Sequence, residues 1–240
     1  MVLNAVGLRL VKFSFGNEDK RMKYIGLDPA TNKTGYSYFE NQRVLEWGCW
    51  NVSEEKDWRK RIVQLATNID KLIKRTNVDV VYCEDALPTI NNSQTVKMLS
   101  ALHGAIILVC ALNNVEVVFV PVETWKSQIG INLSHSKEYK DGKKNLLGDI
   151  RIYSKYIKLY EKKMSVDLAN KLFGIDGVHL DYRSGESKFN QDDISDSMMI
   201  AFSQAYPELC KYSLESFSDI VERLRAKCYA NREVYKRGFN

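Results

Sequence analysis

Four carboxylates stand where strands and helices should end, and their type and spacing suit metal-assisted phosphoryl chemistry. Asp28 closes Ile25-Gly26-Leu27-Asp28 and is followed by Pro29. Proline cannot extend a hydrogen-bonded ladder, so this acid is presented at a sheet rim. Glu84 follows the apolar run Val80-Val81-Tyr82-Cys83. That places it at the carboxyl edge of a strand covered on both faces, where ligands of open sheets gather. Asp85 points to the other side. Asp193 and Asp196 are three apart in Gln191-Asp192-Asp193-Ile194-Ser195-Asp196 and stack on one helix face, with Ile194, Met198, Ala201 and Ala205 opposite. A solvated acidic face usually carries Lys or Arg at i+4. Those positions are Ser197 and Ile200, and no basic residue occurs from Phe189 through Cys210. Unpaired carboxylates this close repel unless a cation lies between them. Hard oxygen donors select Mg²⁺ or Mn²⁺. Two such ions about 3.5–4 Å apart clamp the attacking water and leaving oxygen of an in-line displacement at phosphorus. No Ser/His/Asp or Cys/His constellation offers a protein nucleophile instead.

The elements that must position these acids are legible in outline. Residues 22–28, 35–39 and 44–52 read as strands joined by the Pro29–Asn32 and Glu40–Arg43 turns, an antiparallel meander. Residues 56–75 form an amphipathic helix, with Trp58, Ile62, Leu65, Ile69 and Leu72 at helical spacing. Val78–Cys83 is a buried fourth strand. Residues 92–111 form a second helix through Val96, Leu99, Leu102, Ile106 and Cys110, and Val115–Val120 is a fifth strand closed by Pro121. Hairpin-linked strands followed by helix-linked strands imply an α/β fold, a mixed five-stranded sheet with helices on its faces. Residues 192–206 and 213–228 return to helix. The span of about 131–190 is polar, Tyr- and Lys-rich, and reads as a helical basic insertion in one domain covering 22–228. Residues 1–21 are a lead-in and 229–240 a basic tail.

Composition bounds the rest. The chain has 240 residues, 45% hydrophobic and 27% charged, with net charge +5. That excludes disordered, collagen-like and disulfide-scaffold classes. No uninterrupted run of about 18 apolar residues is present, so no membrane span is expected. Five cysteines without a C-x-x-C pair read as buried small hydrophobes in a reducing compartment. The basic excess is local. Lys137–Lys163 holds nine Lys/Arg against four Asp/Glu, and 222–237 six against two. In the first patch Lys137, Lys140, Lys143, Lys144, Arg151 and Lys155 interleave with Tyr139, Tyr153 and Tyr156, a pattern suited to phosphate contact.

A meander whose first strand ends in an acid, an acid after strand four and a D-x-x-D helix form the arrangement of an RNase H-like nuclease. Within that class the sequence resembles the RuvC-type Holliday junction resolvases, and looks closest to their divergent phage and viral branch. The resemblance is carried by Ile25-Gly26-Leu27-Asp28-Pro29 with Thr34-Gly35-Tyr36, the strand into Glu84, Val122-Glu123-Thr124-Trp125-Lys126 with Gly130, and Asp192-Asp193-Ile194-Ser195-Asp196-Ser197. It implies that Asp28, Glu84, Asp193 and Asp196 form a tetrad holding two Mg²⁺ per site, with Mn²⁺ able to substitute. It also implies that Lys126 contacts the scissile phosphate or a neighbour as a point charge. The implied activity is paired hydrolysis of four-way and other branched DNA by a homodimer, leaving 5′-phosphate and 3′-hydroxyl ends. No nucleotide cofactor or membrane is involved, and the location is cytoplasmic (that of the host cell for a phage protein). Trp125 reads as core. Two departures stand out. The stretch after Glu84, Asp85-Ala86-Leu87-Pro88, lacks the aromatic the family uses to unstack bases, and the 130–190 segment is longer and more basic than in the bacterial enzymes. Three other readings stay open: an RNase H-like nuclease acting on R-loops or RNA, a non-catalytic junction-binding protein, and an actin-like or sugar-kinase ATPase, which would need a second glycine-rich phosphate loop that is not seen.

Overall fold

The computed structural model describes residues 21–85, 93–132, 150–182 and 191–209, side chains of 150–156 excepted. The lead-in through residue 20, the residues after Asp85, the expected helix at 213–228 and the basic tail lie outside the described residues. So do Lys137, Lys140, Lys143 and Lys144 and the side chains of Arg151 and Lys155.

Five strands form one sheet: β1 (Lys23–Asp28), β2 (Lys33–Glu40), β3 (Arg43–Asn51), β4 (Val80–Asp85) and β5 (Glu116–Pro121). Their order is β3-β2-β1-β4-β5. β1 pairs antiparallel with β2 and parallel with β4, and β4 pairs parallel with β5. The mixed five-stranded sheet expected from the element order is therefore present. Short hairpin turns build its antiparallel half. The parallel half needs crossovers, supplied by α1 (Trp58–Thr76) and α2 (Ser93–Leu112).

The local chemistry of α1 explains its limits. Asp57 caps its start by accepting from the Arg59 backbone N–H. Asn77 ends it at φ 51°, with its N–H on the Ile73 carbonyl. Ile62, Leu65, Ile69 and Leu72 form the buried stripe. In α2 the buried stripe is Leu102, Ile106 and Cys110.

Strand alternation divides the core in two. Ile25, Leu27, Val81 and Cys83 face α1 and α2. Tyr24, Phe39, Val80 and Val120 face the other layer, formed by α3 (Val122–Gln128), α4 (Ile150–Phe173) and α5 (Asp192–Ala205). Tyr24 stacks on Phe39 with ring centroids 4.8 Å apart, which adds about 0.5–1.5 kcal/mol to the burial of both rings. Trp125 is fully buried, as its sequence context suggested.

Two sequence readings are amended. The span of about 131–190 reads as a helical basic insertion, and its described part does contain a long helix, α4, but one built into the core rather than set apart from it. Ile157, Met164, Val166, Leu168, Ala169 and Phe173 of α4 are buried in the same core as Tyr24 and Phe39. The absence of an unbroken apolar run also understated α2. By length and composition that helix is long and apolar enough to cross a membrane. Lys97 and His103 interrupt its run without making the helix polar. Its Leu102–Ile106–Cys110 stripe docks on the sheet.

Among the described cysteines, Cys83 and Cys110 are buried and Cys49 half-buried, all as free thiols.

Candidate active site

The site assembles from register. Leu27 pairs with Cys83 across the parallel β1–β4 ladder, so Asp28 and Glu84 leave adjacent strands at the same edge. Each is an even-numbered position, and even positions of β1 and β4 face α5. Val80 belongs to that core and Gly26 lies against α5. On the other side, Asp28 pairs with Gly35 of β2. A Cβ on Gly35 would lie 2.0 Å from the Asp193 carbonyl oxygen, and one on Gly26 2.0 Å from that of Ser197. The two glycines thus let one turn of α5 lie flat on β1 and β2, with Asp193 over the strand neighbour of Asp28. Small buried residues on the helix help. The Ser195, Ser197 and Ser203 hydroxyls donate to carbonyls three residues back, so they need no partner on the sheet.

The four acids feel one another. Burial first, and then Glu84, Asp196 and Asp193, raise the Asp28 carboxyl well above its ordinary range, with Lys162 opposing. Burial also raises Glu84, against the Trp125 hydrogen bond and the charges of Lys126 and Lys162. Asp196 is pushed up to about 7 by burial, with Lys126 and Ser165 opposing and Glu84 and Asp192 adding. One Asp196 oxygen, Oδ1, is buried without a hydrogen-bond partner.

Asp28, Glu84, Asp193 and Asp196 therefore share one electrostatic site, drawn from β1, β4 and α5. Among the described residues, however, no three His, Cys, Asp or Glu side chains close on a common point as in a formed metal centre. The donor chemistry still fits a hard divalent ion. It consists of oxygens only, mutually repelling, with one buried oxygen that lacks a hydrogen-bond donor.

The folded chain supplies cations that helix spacing alone did not reveal. Lys33 of β2 pairs with Asp193 at 2.5 Å. Lys162 of α4 pairs with Asp192, which is buried. The expectation of uncompensated charge on α5 is corrected accordingly, because these lysines come from other elements rather than from i+4. Asp192 is thereby committed to Lys162 in this arrangement, whereas Asp193 is the acid over the Asp28 strand pair.

Lys126 also differs from a free point charge. Its Nζ lies 3.3 Å from Glu161 Oε2, and the two side chains are 19% and 3% exposed. Burial opposes its charge, but Glu161, Asp196 and Glu84 outweigh that and raise its pKa. Trp125 beside it donates from Nε1 to Glu84 Oε2 at 3.0 Å, so α3 orients both a carboxylate and a cation. Lys162 is the more open of these two lysines, at 45%.

Glu161, Lys162 and Lys33 were not singled out from sequence. Glu161 had a readable signal. Ile157, Glu161, Met164 and Leu168 follow helical spacing, and a charged residue on such a buried stripe needs a partner.

Two outcomes follow from these contacts. A double-mutant cycle on Lys126→Met and Glu161→Met should give a coupling of at least about 1 kcal/mol in urea unfolding, as expected for groups in direct contact. Additive effects would show the pair to be incidental. The second concerns pH. Folded Asp196 holds its proton to about pH 7, against the ordinary 3.8. Between those values folded Asp196 binds more protons than the unfolded chain does, so its contribution to stability should fall as pH rises through this window and level off above it. In metal-free buffer, Asp196→Asn should flatten that slope in thermal melts. An unchanged slope would show that Asp196 does not titrate there.

The 3-2-1-4-5 mixed sheet with acids at the shared edge of β1 and β4 is the RNase H-like fold. Within it, residues 24–140 match the family model for crossover junction endodeoxyribonuclease RuvC. Similar proteins carry that name. One from Caldicellulosiruptor saccharolyticus is 27% identical over 133 residues, covering 53% of this chain and 80% of that protein. Another, from Brachyspira hyodysenteriae, is 26% identical over 118 residues, covering 48% of this chain and 73% of that protein. The structure of T. thermophilus RuvC in complex with a Holliday junction substrate is similar in fold, with TM-score 0.51 and 12% identity over 78% of this chain and 96% of that one. Over about half of its length the chain is thus similar to the RuvC-type resolvases, the resemblance its motifs led us to expect.

Proposed function

We propose that this protein is a structure-selective DNA endonuclease that resolves four-way and other branched junctions. The observation that carries the reading is the convergence of acids from β1, β4 and α5 on one sheet edge in a RuvC-related chain. Two Mg²⁺ held by Asp28, Glu84, Asp193 and Asp196 would supply a water of lowered pKa for in-line attack and neutralise charge at the leaving oxygen, leaving 5′-phosphate and 3′-hydroxyl ends.

The chain's own residues do the rest. Trp125 fixes the Glu84 carboxylate, and Glu161 fixes Lys126 beside it. Lys162, half-exposed and within the field of Asp28 and Glu84, is the better-placed cation for a substrate phosphate. Asp193, which contacts Lys33 in this structure, would be one of the residues holding an ion. The basic residues of 137–155 add phosphate contacts. A homodimer places two such sites on symmetry-related strands, and the setting is the cytoplasm.

The test is cleavage of a labelled four-way junction beside a linear duplex of equal length, with Mg²⁺, Mn²⁺ or Ca²⁺. Paired nicks in the junction with Mg²⁺ or Mn²⁺, and none in the duplex, are expected. Equal cleavage of both substrates, or none of either, would overturn the reading.

A further inference from the structure

The end of the α1/α2 layer carries a second charged surface, on the opposite face of the sheet from α5. α1 runs back to the start of β4, so its N-terminus lies at the edge where Asp28 and Glu84 emerge. α2 begins after β4 ends, so its first turns lie at the same edge. Side chains confirm the adjacency. Arg61 donates from Nε to the Thr31 carbonyl at 3.0 Å and from Nη1 to the Glu55 carbonyl at 2.9 Å. The turn leaving Asp28 is thereby tied to the start of α1.

Trp58 is half-buried there, and two cations from different helices approach its ring. The Arg59 guanidinium carbon lies 5.4 Å from the ring centroid and Lys97 Nζ 5.9 Å. Both residues are exposed, as are Lys56 and Lys60 beside them. The nearby acids are largely used locally. Glu55 accepts from the Asp57 N–H, and Asp57 caps α1 while lying 3.6 Å from Arg59.

We propose that the Trp58, Arg59 and Lys97 cluster grips the phosphate backbone of a DNA arm entering beside the carboxylate edge. The ring holds two cationic heads from separate helices near one another, on residues that are both exposed. A row of phosphates is the partner that such preset, exposed cations fit. The surface is continuous with the site through Arg61 and Thr31. This inference rests on the DNA reading above.

The test is binding of a fluorescent four-way junction, and separately of a plain duplex, across a salt series in Ca²⁺. Arg59→Ala/Lys97→Ala is compared with wild type and with Lys71→Ala/Lys74→Ala at the far end of α1. At about 0.9 in slope per phosphate, the first variant should flatten log K against log salt by ~2 and weaken binding several-fold. The far-end control should bind like wild type. A wild-type slope in the Arg59/Lys97 variant, or an equal flattening in the control, overturns the proposal. The two readings fail separately. If wild type binds plain duplex and junction alike and cuts neither, the resolvase reading falls, while the duplex salt slope still decides the cluster.

Discussion

Asp28→Asn should lower junction cleavage by roughly 10³-fold or more while junction affinity in Ca²⁺ stays within a few-fold of wild type. Loss of one carboxylate from a site that stabilises transition-state charge forfeits several kcal/mol, and each ~1.4 kcal/mol is tenfold in rate. The same substitution should stabilise the metal-free protein. Asp28 is raised well above its usual range by burial and by three acidic neighbours, so its charge opposes folding at neutral pH. A neutral amide of the same shape removes that opposition. An increase of about 2–4 °C in the thermal midpoint corresponds to ~1 kcal/mol in a protein of this size. Adding Mg²⁺ should then raise the midpoint of wild type more than that of the variant. Wild-type cleavage by Asp28→Asn would end the catalytic assignment. Lost cleavage with a lowered midpoint would mean that Asp28 serves the fold instead.

Gly35→Ala should be, with Gly26→Ala, one of the two most damaging single methyl additions among the described glycines. The new Cβ would meet the Asp193 carbonyl oxygen at 2.0 Å and its carbonyl carbon at 2.5 Å. Both are backbone atoms of a buried helix, so no flexible side chain can give way. Overpacking of this kind costs about 1–3 kcal/mol. Relief requires α5 to lift from β2 at the turn that carries Asp193. A displacement of about 1 Å at a reacting centre can cost on the order of 10²-fold in rate. The expected result is a folded protein with a lowered urea midpoint and cleavage reduced to about one per cent. The comparison variant is Gly104→Ala, on the solvent side of α2 with open space around it, where a methyl group should be neutral or stabilising. Wild-type activity in Gly35→Ala would show that α5 tolerates a different seat and that Asp193 is not held by this contact.

Much of the molecule was legible before folding was considered. The strand–turn–strand start, both crossover helices and the D-x-x-D helix follow from hydrophobic period, prolines and turn residues, because those signals are local. Asp28, Glu84, Asp193 and Asp196 were legible for the same reason: each sits at an element end that neighbouring residues announce. Lys126 was named for its place in a motif, but its contact was not foreseen. Its 3.3 Å partner Glu161 lies 35 positions later, in a helix whose period was masked by lysines and tyrosines.

The sequence by itself indicated which residues could bind a hard cation, that a mixed sheet would carry two of them at strand ends, and that Asp193 and Asp196 would share a helix face; that β1 and β4 are neighbours came from the fold. Tertiary structure alone decided that two glycines seat α5 against β1 and β2, and that Lys33 and Lys162 compensate acids on a helix lacking bases of its own. It alone placed Arg59 and Lys97 around one tryptophan. The difference is physical. Period and capping are set by interactions within a few residues, whereas charge compensation and close helix–sheet approach depend on through-space distances between segments far apart in the chain, which no local pattern encodes.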